Sequence, residues 1–127
     1  MKIIPFIFLL IFSIPAIHAQ SSAKDNNPLG KWKFEASYAP EGYTTGMIEV
    51  SLNEDKYSAS ISFTGTDYKF PGEKVKVEGE NLFFIVYIQD SDVTINLKMD
   101  GNTKMAGKAS YSEGEIPLTL TREIPNQ

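Results

Sequence analysis

Cysteine is absent from the 127 residues, so there is neither a disulfide nor a thiol nucleophile, and the fold must hold through packing and backbone pairing. Histidine occurs once, at His18, and tryptophan once, at Trp32. Long apolar runs are missing too. The longest, Ile3 to Phe12, contains Pro5 and is followed by Ser13 and Pro15, whereas a membrane-spanning helix needs about 20 predominantly apolar residues. Beyond Gln20 no stretch shows helical spacing over ten residues.

What the N-terminal run does resemble, with Lys2 ahead of it and the small Ala19 behind, is a secretory signal peptide of residues 1–19, cut before Gln20. Export to the periplasm or the medium is expected, with no membrane insertion once the signal is removed. No cysteine follows the cut, so no lipid anchor is expected. Processing would take Lys2 and His18 and leave 108 residues with 11 basic and 16 acidic side chains, a formal charge of −5. That length supports one domain with a modest core. The acidic balance argues against nucleic acid or an anionic membrane as partner, because both need a basic face.

Loss of His18 also removes the base of a Ser-His-Asp triad and the usual zinc ligands. A glycosidase-type carboxylate pair needs one acid in an apolar pocket, and the core-parity positions below hold none. No catalytic residue, cofactor or metal is therefore expected, and the chain reads as a non-enzyme. Asp90-Ser91-Asp92 has the look of a calcium-loop fragment, but calcium wants about six to eight oxygens and a short turn supplies few, so a solvated turn is expected.

Residues 20–29 are polar and aperiodic, which predicts a flexible leader. From residue 30 the chain alternates. Trp32, Phe34, Ala36 and Tyr38 share one face. So do Ile48, Val50 and Leu52, then Tyr57, Ala59, Ile61 and Phe63. A bent strand carries Tyr68 and Phe70, kinks at Pro71-Gly72 and continues through Val75 and Val77. Residues 82–88 are apolar on both faces. Val93 to Met99, Met105 to Tyr111 and Ile116 to Arg122 alternate again. Short links rich in Gly, Asn and Asp join these runs as hairpins. The expectation is an all-β, eight-stranded antiparallel up-and-down barrel over 30–123, with a tail at 124–127. Eight strands suffice for a sheet to close and lose its edges.

An even strand count brings the start of the first strand and the end of the last to the same end, where Trp32 and Arg122 both have core parity. They are expected to form a structural plug, a cation stacked on an indole. Gly30-Lys31-Trp32, Asp100-Gly101 with Met105-Ala106-Gly107-Lys108-Ala109, and Ile116-Pro117-Leu118-Thr119-Leu120-Thr121-Arg122 together resemble the small secreted lipocalin-like (calycin-type) barrels of bacteria. These occur alone or attached to exported hydrolases. True lipocalins are longer and usually hold a large ligand cavity, so the resemblance implies the fold more than a function.

At the opposite end, Tyr38, Tyr43, Phe63, Tyr68 and Tyr111 are expected to form an aromatic mouth for a small or extended ligand. Glu41, Asp67, Asp90, Asp92, Glu113 and Glu115 would make its rim acidic. The competing reading is that the tyrosines only cap the core with their hydroxyls in water. The small inward residues Ala36, Ala59, Gly107 and Ala109 either leave a void or accommodate Phe34, Phe63 and Phe84 in a filled core. The alternative function is a protein-binding barrel, such as an inhibitor or accessory subunit of an exported enzyme. Small periplasmic protease inhibitors share this barrel but carry a disulfide that is absent here. Whichever register the fifth strand adopts, one apolar set faces out; parity assigns Phe83, Ile85 and Tyr87 to that set, a possible surface for an acidic partner or a homodimer.

Overall fold

The computed structural model describes residues 27–123. The expected signal peptide, residues 20–26 of the leader and the tail 124–127 lie outside the described residues. Among the described residues there is no helix. Nine antiparallel strands form one sheet: β1 (Gly30–Glu35), β2 (Thr45–Asn53), β3 (Lys56–Phe63), β4 (Phe70–Pro71), β5 (Glu73–Glu78), β6 (Asn81–Ile88), β7 (Ser91–Asp100), β8 (Lys104–Tyr111) and β9 (Gly114–Arg122). The all-β barrel class is as expected. The count differs by one because the bent strand is broken at its kink.

That break brings the two edges of the sheet together. The spatial order is β4-β3-β2-β1-β9-β8-β7-β6-β5, so the two outermost strands are consecutive in the chain and separated by Gly72 alone. Pro71, which has no N–H to give a ladder, stands opposite Ser60 at the end of the β3 pairing. The Gly72 amide then donates to the Ala59 carbonyl at 2.7 Å. A Cβ at Gly72 would lie 2.9 Å from that oxygen and 2.9 Å from the Phe84 ring, so the crossing from one edge to the other needs a residue without a side chain. Beyond it, β5 carries a bulge between Glu73 and Lys76, with Lys74 at φ 55°.

The interior is apolar throughout. Trp32, Ile48, Leu82, Phe84, Val86, Ile95, Met105 and Leu120 are essentially inaccessible, and among the described residues no polar or charged side chain is fully buried. Gly107, on the inward face of β8, is not an empty position. A Cβ there would lie 1.9 Å from the Asn96 carbonyl oxygen and 2.8 Å from the Cα of Leu97, its partner in β7.

At the lower end β1 and β9 pair with Trp32 directly opposite Arg122. The guanidinium carbon sits 4.3 Å from the indole centroid. Its nitrogens donate to the carbonyls of Asn102 (2.8 Å), Asn27 (2.9 Å) and Leu29. Burial lowers the Arg122 pKa from its ordinary value, yet a guanidinium stays charged in proteins, so the carbonyls solvate a permanent cation. The Trp32 indole N–H donates to the Pro28 carbonyl at 2.9 Å, and Pro28 is itself fully buried. The last three residues of the expected leader therefore belong to the barrel. Backbone carbonyls, invisible to a composition-based reading, tie them to Trp32 and Arg122.

Candidate functional site

The barrel's two ends differ in filling. Below, Trp32, Met99, Met105 and Leu120 pack the interior. Above, a cavity of about 340 Å³ opens among the loops that join β1 to β2, β6 to β7 and β8 to β9. Its floor is hydrocarbon: Phe34, Ile61, Ile95 and Leu118. Ile88, Val93 and Ile116 continue the wall upward, and the polar groups Gln89, Ser91, Ser112 and Glu113, with Tyr43 and Tyr111, stand where it opens. Of the four small inward residues, Ala36 and Ala109 line this space, while Ala59 and Gly107 do not.

Local turns decide which of the expected mouth residues reach it. Strand β1 stops at Glu35, and residues 36–44 fold as two successive turns, Ala39 N–H to the Ala36 carbonyl (2.9 Å) and Tyr43 N–H to the Pro40 carbonyl (3.0 Å). Gly42, at φ 93°, takes the third position of the second turn, the left-handed place that favours glycine. The loop thereby turns Ala39, Pro40 and Tyr43 onto the cavity. Tyr38 falls at the tip of the first turn and is 80% exposed. Its assignment to the mouth is corrected: alternation was carried past the point where pairing ends.

Tyr68 is the second correction. It precedes β4, its N–H donates to the Thr66 hydroxyl at 3.0 Å in a local turn, and it is 61% exposed. It touches the site only through intermediaries. Its ring meets Phe70 edge-on at 4.7 Å, Phe70 meets Phe63 at 5.8 Å, and Phe63 meets Tyr43 at 4.9 Å and Phe34 at 5.8 Å. Phe63 is thus the hub of an aromatic wall on the β1–β4 side. Tyr111 lines the cavity from β8. Three of the five expected residues, Tyr43, Phe63 and Tyr111, come together at the cavity.

The acidic rim is thinner than expected. Among Glu41, Asp67, Asp90, Asp92, Glu113 and Glu115, only Glu113 lines the cavity. Glu115 pairs with Lys108 at 3.2 Å on the outer face. No lysine or arginine lines the space, and the one base in the upper loops, Lys69, is held by Glu49 at 3.1 Å. Gln89, unforeseen in the sequence, sits in a two-residue turn with Asp90, at φ 51° and 65°. Both are left-handed without glycine or asparagine, a conformation that costs about 1–2 kcal/mol per residue. Among the described residues no group of three or more His, Cys, Asp or Glu is placed to hold a metal ion; Asp90 lies in the turn and Asp92 in β7.

On the outside of the barrel the register sets Lys76, Phe83, Asn96, Lys108 and Pro117 in one row across β5 to β9. The Lys76 ammonium lies 5.8 Å from the Phe83 ring centre. Phe83 and Ile85 are half-buried and Tyr87, nearest the top, is 58% exposed.

The fold and its cavity define a nearly closed antiparallel β-barrel. A solved structure of a redesigned β-barrel is similar, with a TM-score of 0.57 and 15% identity, over 80% of this chain and 95% of that one. At that identity the likeness concerns the fold alone. No family model matches the chain, and no curated protein matches it.

Proposed function

We propose that the chain is an exported, non-catalytic, lipocalin-like barrel that binds a small ligand through its upper mouth. The observation that carries this reading is the asymmetry of the interior: one end is sealed by Trp32 and Arg122, and the other holds an open, apolar-floored cavity of about 340 Å³. Ligand sites in proteins are concave, mostly apolar and furnished with a few polar groups, commonly in volumes of about 300–1,000 Å³. Export and the bacterial lipocalin-like kinship rest on the N-terminal run and on the Gly-Lys-Trp and Arg122 motifs. The non-catalytic reading is supported by a processed chain without histidine or cysteine and by an interior whose described positions are all apolar. Titrating the protein with octanol while following backbone amide shifts tests it. Saturable changes at Tyr43, Val93, Ala109 and Tyr111 are expected, and an absence of changes there would sink the reading.

A second reading, a protein-binding barrel, is favoured by the outward row of Lys76, Phe83, Asn96 and Lys108 beside the exposed Tyr87. An apolar stripe flanked by lysines suits an acidic partner or a second copy.

A further inference from the structure

The cavity is polarised along its axis, and we infer that its ligand is an amphipathic amine: an apolar body held against Phe34, Ile61, Ile95 and Leu118, with a cationic head at the mouth beside Glu113. This rests on the cavity being a binding site, as proposed above.

The floor offers no hydrogen-bonding side chain, so whatever part of a ligand reaches it must be hydrocarbon, since an unpaired polar group there would lose its water without replacement. The polar groups gather at the opening, where Gln89, Ser112 and Glu113 are exposed and Tyr43, Ser91 and Tyr111 are half-buried. Such a lining orders an amphipath tail-first.

The sign of the head follows from charge. Glu113 is the one ionised group in the lining, and no cation accompanies it. Around it, the loops of the upper end add Glu41, Asp67 and Asp90, while their single base, Lys69, is already paired with Glu49. A mouth of one charge sign over low-dielectric walls favours the opposite charge. A carboxylate-headed lipid, by contrast, would be placed beside Glu113 with no base to receive it. The electron-rich faces of Tyr43 and Tyr111 suit an ammonium as well.

Three probes that share a tail, octylamine, octanol and octanoate, separate the head from the body. Calorimetric titration at low and at moderate salt is expected to rank amine over alcohol over carboxylate, each step roughly threefold to tenfold in Kd, as for a solvent-accessible charge pair. Salt should narrow the gap, because the pair is screened. Glu113→Gln should erase the preference for the amine over octanol, with the melting temperature and the backbone amide spectrum showing that the variant is folded. Glu113→Lys should make octanoate the tightest of the three. Octanol binding with no discrimination between heads, or octanoate tightest to the native protein, would overturn the amine assignment and leave the cavity reading standing. No binding of octanol at all would overturn both.

Discussion

Arg122 stands directly opposite Trp32 in the pairing of β9 with β1, and its guanidinium lies over the indole while donating to the carbonyls of Asn27, Leu29 and Asn102. One side chain thus joins the two ends of the described barrel and the β7–β8 turn. Deleting the indole (Trp32→Ala) is expected to cost about 3–5 kcal/mol in chemical denaturation, the range for a large buried aromatic. Arg122→Lys keeps the charge but cannot span three carbonyls, and is expected to cost about 1–3 kcal/mol. A loss below about 1 kcal/mol for Trp32→Ala would show that the indole does not hold the barrel shut.

Gly107 is required by crowding rather than by flexibility. The added methyl of Gly107→Ala would press on the Asn96 carbonyl, so β7 and β8 must separate. We expect a loss of about 2–4 kcal/mol, as for other overpacked sites. Gly101→Ala is the control. A Cβ there meets nothing within 4 Å, and only the φ of 76° opposes it, so its cost should stay near 1 kcal/mol. Equal losses at the two positions would contradict the crowding at Gly107.

The Gln89-Asp90 turn invites replacement by Asn-Gly, the pair best suited to two left-handed residues in a hairpin. Gln89→Asn/Asp90→Gly is expected to raise stability by about 1 kcal/mol or more on thermal melting. No gain would mean that the turn is not strained in solution.

Self-association through β6 is checked by light scattering. If the outward stripe joins two copies, the native protein is dimeric and Phe83→Ser/Ile85→Ser is monomeric. Two monomers of equal solubility would remove the stripe from any such role. The stripe is small beside the about 800 Å² per partner of a standard interface, so the expected dimer is weak and concentration-dependent.

The strands were legible because alternation and hairpin turns constrain one another. The bend at Pro71-Gly72 was equally plain. What period two could not reveal is where pairing stops. It carries β1 on to Tyr38 and draws Tyr68 into a strand, although β1 ends at Glu35 and β4 begins only at Phe70. Nor does a small residue on the inner face announce what fills the space beside it. Ala109 borders a cavity, whereas Gly107, two residues away, is pressed by a neighbouring backbone. Gln89 became a mouth residue through an unfavourable turn for which its side chain gives no cue. The involvement of Asn27–Leu29 arises from carbonyl groups that every residue possesses.

The central claim is that the open upper cavity is where ligand binds, and filling it tests this most directly. Ala109→Phe places a ring in the space between Ile95 and Ile116 without touching the plug. Octanol affinity and melting temperature should be measured together on the same variant. The account predicts at least about a tenfold loss of affinity with stability unchanged or raised, since filling a void commonly adds about 0.5–2 kcal/mol. Undiminished octanol binding by a folded Ala109→Phe protein would contradict it.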